Sequence, residues 1–173
     1  MNIALVPARC GSQSIKFKNI KLFCGKPLIY WSLKALQDSS CIDLIFVATD
    51  CKEIKDIVNN FKFSKVQVYD RKKENAQSDS TTESVILEFL ENCNFGDSDK
   101  LFLVQSTSPL THSQDFNKAL ELLIENKADS LLTCVRNKSF FWNDNGSPKN
   151  YNYMSRPRRQ DFDGTLMENG AFY

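Results

Sequence analysis

Arg156-Pro157-Arg158-Arg159 places three guanidiniums within four residues, and Arg9, Lys16 and Lys18 gather about Gly11-Ser12 in a second basic stretch. A guanidinium presents a planar fork of donors that clamps a carboxylate or stabilises charge developing on a phosphoryl group. Mobile cations beside a glycine allow close backbone approach, which a triphosphate needs at the end of a strand. Neither stretch is a common phosphate motif. Gly25-Lys26 is followed by Pro27 and has no glycine five residues ahead of it, so G-x-x-x-x-G-K-[ST] is absent, as is G-x-G-x-x-G. A solvated turn would also account for each cluster, and a basic tetrad can serve nuclear import or nucleic acid. Against the last reading, the rest of the chain adds no basic face and no interleaved aromatics.

Other candidates read more simply. Asp97-Ser98-Asp99 and Asp161-Phe162-Asp163 have the D-x-D pattern of a glycosyltransferase metal site. The first precedes a strand, at the wrong edge of a parallel sheet for a ligand, and carboxylate pairs on polar loops are ordinarily solvated. His112 has no recognisable Ser or Cys partner, so a capping or surface role is expected rather than a hydrolase triad. Asp50 and Glu53 have capping-box spacing and read as a helix start. The six cysteines are scattered, with no C-x-x-C pair and no histidine at ligand spacing, so reduced thiols and no metal-ligating residue are expected.

The elements that must position these residues follow from the apolar pattern. Short apolar runs at 3–6, 44–47, 66–69, 101–104 and 130–135 predict buried strands. Between them, residues 28–36, 54–61, 82–90 and 113–126 carry helical stripes, and Thr111 with Gln114 has capping-box spacing ahead of the last. Strands alternating with helices predict right-handed crossovers and a mostly parallel, doubly wound sheet. Ligands of such sheets bind beyond the carboxyl ends of the strands, so the loops at 8–19, 49–50, 70–79 and 106–109 are the places for chemistry. Residues 143–164 lose periodicity and read as a long loop of the kind that covers a site.

With 173 residues, 42% apolar and 25% charged, the chain suits one soluble domain, 1–173. No apolar run approaches the roughly 20 residues of a membrane span. Lys and Arg total 22 against 21 Asp and Glu, so a net charge of +1 leaves no field to draw in nucleic acid or an acidic membrane. The amino terminus opens on a core strand with no basic leader ahead of it, from which a cytoplasmic, reducing location is expected.

Taken in order, several segments resemble one family, the CMP-sialic acid synthetases or N-acylneuraminate cytidylyltransferases. They are Pro7-Ala8-Arg9-x-Gly11-Ser12, Lys18-Asn19-Ile20, Thr49-Asp50, Gln105-x-Thr107-Ser108-Pro109-Leu110, Arg156-Pro157-Arg158-Arg159-Gln160-Asp161 and Glu168-Asn169-Gly170-Ala171-Phe172-Tyr173, spread over the whole chain. The continuation Asp161-Phe162-Asp163-Gly164 looks most like the sialic acid branch rather than the related Kdo enzymes. The resemblance implies an α/β, Rossmann-like three-layer nucleotidyltransferase fold with a mostly parallel sheet. It also implies a reaction in which CTP and a nonulosonic acid give CMP-N-acylneuraminate and pyrophosphate, with Mg²⁺ bridging phosphates. By similarity, Arg9 and Lys18 hold the triphosphate, Asn19 contacts the nucleotide, and Arg71, Ser80 and Thr82 line the cytidine side. Gln105 faces the sugar, Arg158 matches the catalytic arginine beside Arg159, and Lys18 shares the catalytic role. A homodimer is implied for a full-length form. Legionaminic acid or KDN as acceptor, and an inactive CTP-binding fragment, are the alternative readings.

The departures are specific. The family's Ser-Lys-Gly is Ser12-Gln13-Ser14, with Lys16 the candidate replacement, and its Pro-Leu-Arg is Pro109-Leu110-Thr111. In the family the Mg²⁺ carboxylates and much of the dimer-forming segment follow Asn-Gly-Ala-Phe-Tyr. Weak or absent turnover and an unpaired sheet edge are therefore expected of residues 1–173.

Overall fold

The computed structural model describes residues 1–11, 15–72, 75 and 81–173. They divide into a larger unit, Met1–Leu131 with Ala171–Tyr173, and a smaller one, Leu132–Gly170. The larger unit runs β1 (Asn2–Pro7), β2 (Leu22–Phe23), β3 (Lys26–Pro27), α1 (Leu28–Asp38), β4 (Leu44–Thr49), α2 (Lys52–Asn60), β5 (Val66–Asp70), α3 (Thr82–Asn92), β6 (Lys100–Leu103) and α4 (Ser113–Glu125). The smaller carries β7 (Cys134–Asn137) and β8 (Thr165–Glu168).

The four long strands form one parallel sheet in the order β5-β4-β1-β6, with Ala4 opposite Ile45 and Phe102, and Val47 opposite Val68. Alternation along β1 decides the layers. Ala4 and Val6 pack with Ile29, Leu33 and Leu36 of α1, Ile54 and Val58 of α2, and Phe116 of α4. Ile3 and Leu5 turn the other way, onto Val85 and Phe89 of α3. The sheet thus lies between α3 and the other three helices, which is why β1 reads as an unbroken apolar run. Each methylene in this core matters at close packing. Ile45→Val, at a site with no solvent exposure, is expected to lower unfolding free energy by about 0.5–1.5 kcal/mol, read as a reduced urea midpoint at unchanged slope.

Gly25 belongs to the β2–β3 hairpin rather than to a phosphate loop. Cys24 and Gly25 both have positive φ, 48° and 77°, the turn that suits the strand twist. Pro27 then leads into α1, whose first N–H donates to the Lys21 carbonyl at 2.9 Å.

Four expectations need correction. Residues 130–135 add no strand to the parallel sheet: the strand there is β7, shifted to Cys134–Asn137 and paired antiparallel with β8. An apolar run identifies a strand but not its partner, and that partner lies about 30 residues further on. The outer edge of β6 is paired at its carboxyl end, where Leu103 and Tyr173 exchange two backbone hydrogen bonds of 3.0 Å and, just beyond the strand, Gln105 N–H donates to the Ala171 carbonyl. The α4 cap sits one residue later than Thr111. Asp115 accepts from His112 N–H at 2.8 Å, while Thr111 is held in the preceding turn by its hydroxyl donating to the Ser108 carbonyl. Asp50 does not cap α2. Cys51 is the cap residue, and its N–H donates to Thr49 Oγ1 at 3.1 Å.

In the smaller unit Gly164 has φ +76°, and a Cβ there would sit 2.5 Å from the Asn137 carbonyl oxygen. Only glycine lets the chain enter β8 so close to the end of β7. Residues 143–164 are partly ordered by a bridge between Trp142 and Pro148 and by a 3-10 turn, Tyr153–Ser155.

Candidate active site

The loops leaving β1, β4, β5 and β6 meet at the carboxyl end of the sheet. After β1 the chain passes Arg9, then turns at Phe17, whose φ of 53° is left-handed, into a short 3-10 turn, Lys18–Ile20. That turn buries Asn19, whose amide donates to the Arg9 carbonyl at 3.2 Å and accepts from the Ser106 hydroxyl at 2.7 Å. Asn19 therefore ties the first loop to the loop after β6. Lys18 is half-buried in the same turn, and the exposed Lys16 lies over the Phe17 ring, 5.7 Å from its centroid. Gln105 begins the loop after β6, and its carbonyl accepts from the buried Ser32 hydroxyl of α1 at 3.4 Å.

Arg71 follows β5 and is only 7% exposed. Its N–H donates to the Thr49 carbonyl at 3.2 Å, and its Nη2 donates to the Asn75 carbonyl. Its Nε is buried with no hydrogen-bond partner among the described residues. Burial pulls the guanidinium below its ordinary pKa, Asp50 and Glu88 oppose that shift, and neighbouring Arg9 adds to it. Arg9 and Arg71 thus share one electrostatic neighbourhood with two carboxylates.

Glu88, on the buried face of α3, was not singled out by the sequence reading. Its carboxylate accepts from Lys72 N–H at 2.8 Å, from the Asn75 amide at 2.6 Å and from the Tyr69 hydroxyl at 3.3 Å. Burial pushes the carboxyl upward, but those hydrogen bonds outweigh it and hold it below its usual range. The Tyr69 hydroxyl is pushed up to about 12, first by burial and then by Glu88. A glutamate at the core-facing register of α3, between Val85 and Phe89, was the available signal: an unpaired carboxylate is too costly to bury.

Asp50 turns toward the first loop, where its carboxylate accepts from Cys10 N–H at 3.2 Å. Cys10 and Cys51, isolated in the sequence, are brought together by the β1 and β4 ends, with Glu53 beside them; the three ligand atoms lie within 4.8 Å of one another. Cys51 is pushed up to about 12, chiefly by burial and then by Cys10. All six cysteines are free thiols. Thr82 opens α3 on an exposed position beside its cap residue Thr81. Ser80, together with the Ser12-Gln13-Ser14 departure, lies outside the described residues.

Arg158 and Arg159 belong to the smaller unit. With Lys138, Ser139, Phe140, Arg156 and Pro157 they line a cleft of about 530 Å³. Arg156 stacks over Phe140 at 4.7 Å, Lys138 donates to the Gln160 carbonyl at 3.2 Å, and Arg158 Nε donates to Asp161 at 2.7 Å. Four cations facing one cleft suit an anion. Of the D-x-D carboxylates, Asp99 pairs with the amino terminus and accepts from Gly96 N–H, and Asp161 accepts from Arg158, while the Asp163 backbone carbonyl accepts from Arg136.

Asp50 and Glu88, the carboxylates beside Arg71, do not suit Mg²⁺. A hard cation wants several converging oxygens, whereas Asp50 and Glu88 are engaged by protein donors and the ligand cluster among the described residues is rich in sulfur.

The fold is a Rossmann-like nucleotidyltransferase fold. A solved 4-diphosphocytidyl-2C-methyl-D-erythritol synthase superposes with a TM-score of 0.64 at 16% identity, over 99% of this chain and 70% of that one. Residues 3–173 match the family model described as Cytidylyltransferase, and the chain belongs to that family. It is similar to N-acylneuraminate cytidylyltransferase A of Danio rerio, at 36% identity over 98% of this chain and 40% of that protein. It is also similar to the pseudaminic acid cytidylyltransferase of Campylobacter jejuni subsp. jejuni serotype O:23/36 (strain 81-176), at 27% identity over 99% of this chain and 77% of that protein. The chain spans about 40% of the length of the N-acylneuraminate relatives it matches. No helix among the described residues is long and apolar enough to cross a membrane.

Proposed function

We propose that the chain binds CTP and transfers its CMP group to a nonulosonic acid, with N-acylneuraminate as the acceptor. The anomeric hydroxyl oxygen attacks the α-phosphorus, the bond from that phosphorus to the bridging oxygen breaks, the hydroxyl proton is released and pyrophosphate leaves. Such in-line transfer depends on positioning and charge neutralisation. The observation that carries this reading is Arg71: beside Arg9 at the carboxyl end of the sheet, the buried Arg71 guanidinium keeps an Nε with no partner among the described residues. A buried donor left unmade is costly, and an acceptor on a bound nucleotide satisfies it.

Within the proposal Arg9 and Lys18 hold the triphosphate, Arg71, Ser80 and Thr82 line the cytidine side with Asn19 supporting the loop, and Gln105 faces the sugar acid. Arg158 and Arg159 neutralise developing charge. Mg²⁺ would accompany the triphosphate as its counter-ion, and no step depends on the described residues holding it. Among the relatives is one named for another nonulosonic acid, pseudaminic acid, and the second reading, with legionaminic acid or KDN as the acceptor, is separable by a panel of acids. Nucleotide binding without pyrophosphate release would instead mark a CTP-binding fragment. The proposal also includes a cytoplasmic location and, for a full-length form, a homodimer.

The test is thermal unfolding with CTP, UTP, ATP or GTP, each with Mg²⁺. CTP at 100 times its dissociation constant is expected to add about 2.7 kcal/mol, with little shift from the other three. A folded chain indifferent to CTP would overturn the proposal.

A further inference from the structure

Cys10 leaves β1 just after Arg9, and Cys51 leaves β4 as the first cap of α2, so two parallel neighbours deliver one thiol each to the same point. Glu53, in the first turn of α2, completes the group: its Oε2 lies 3.2 Å from Cys51 Sγ, and all three ligand atoms fall within 4.8 Å of one another. Tetrahedral zinc, with bonds of about 2.3 Å to sulfur and about 2.1 Å to oxygen, separates its ligand atoms by roughly 3.6–3.8 Å. Side-chain adjustments of a few tenths of an ångström to about one would meet that spacing.

We propose that Cys10, Cys51 and Glu53 bind one thiophilic divalent cation, with zinc as the best fit. Two sulfurs and a carboxylate suit zinc over magnesium or calcium, which select oxygen ligands. The surroundings hold the ligands in place. Asp50 accepts from Cys10 N–H at 3.2 Å, and Thr49 Oγ1 accepts from Cys51 N–H at 3.1 Å, so both cysteine backbones are pinned. Burial differs across the group: Cys51 is enclosed, Cys10 half-buried and Glu53 exposed, so the carboxylate side of the group faces solvent, from which water would supply the fourth ligand. Binding displaces the thiol protons. An ion there joins the residue following Arg9 to the head of α2, bracing the first loop independently of any nucleotide.

The test is equilibrium dialysis of the intact chain against chelator-buffered Zn²⁺ under a phosphine reductant, with Co²⁺ absorption spectra as a second readout. One zinc per chain is expected, together with the thiolate-to-cobalt charge-transfer band of a tetrahedral site. Cys10→Ser and Cys51→Ser should weaken zinc binding by upward of roughly 100-fold, since changing even an outer partner of a ligand costs roughly 10–100-fold. Glu53→Gln should weaken it less and shift the cobalt spectrum, and Cys93→Ser should change nothing. Cys10 is half-buried, so Cys10→Ser keeps the test decisive even where Cys51→Ser fails to fold. A parent chain that binds no zinc, or equal zinc uptake by parent and Cys10→Ser, would overturn the site whatever the outcome with CTP.

Discussion

Arg158→Ala is expected to slow pyrophosphate release from CTP by roughly 10²–10³-fold, the usual effect of removing one donor aimed at developing charge. Its melting temperature should stay within a degree or so of the parent's. The contrast follows from location. The Arg158 side chain is 75% exposed, and its partner Asp161 is half-exposed. Exposed ion pairs contribute about 0–1 kcal/mol, so little stability is at stake. Arg158→Lys keeps the charge but loses the planar fork and should recover only part of the rate. Parental kcat in Arg158→Ala would remove Arg158 from the chemistry and point to Arg156 or Arg159, which line the same cleft.

Glu88→Ala should cost about 1–3 kcal/mol, because its removal takes the acceptor from the Lys72 N–H and from the half-buried donors of Asn75 and Tyr69 at once. The loss reaches the site in a second way. Asn75 is held by Glu88 and in turn receives Arg71 Nη2 on its carbonyl, so Glu88 positions Arg71 through one intermediate residue. Glu88→Gln, which keeps the shape and an acceptor, should restore part of the stability and part of the CTP affinity. The pH response supplies a readout that packing alone would not move. The folded Glu88 carboxyl lies below its usual range, so its stabilisation is full above the unfolded value, about 4.3, and disappears as pH falls through the folded one. Acid unfolding curves of parent and Glu88→Gln should therefore converge at low pH and separate toward neutrality. Parallel curves would show that Glu88 carries no such linkage.

What the sequence determined by itself was the layered architecture and the loops that matter. Apolar runs of four to six residues and helical stripes report burial directly, because burial constrains side-chain chemistry at each position. The four parallel strands and four long helices lie where those patterns put them, within the displacement of a residue or two that helix caps introduce. The basic clusters around Arg9 and Lys18 and around Arg158 were visible for the same local reason, since charge is a property of the residue type, whereas Arg71 came only through the family resemblance. Pairing was not local. The β7 run was legible as a strand but its antiparallel partner was not, and Asp50 could be read as a cap until the Cys10 N–H was seen to claim it. Only the tertiary structure could decide that Glu88 holds the Arg71 loop, that Asn19 joins Arg9 to Ser106, and that Cys10 meets Cys51 across 41 positions of sequence. Each is a contact between chain segments that adjacent strands or a crossover helix bring together. Its partners are selected by the geometry of the sheet rather than by spacing along the chain.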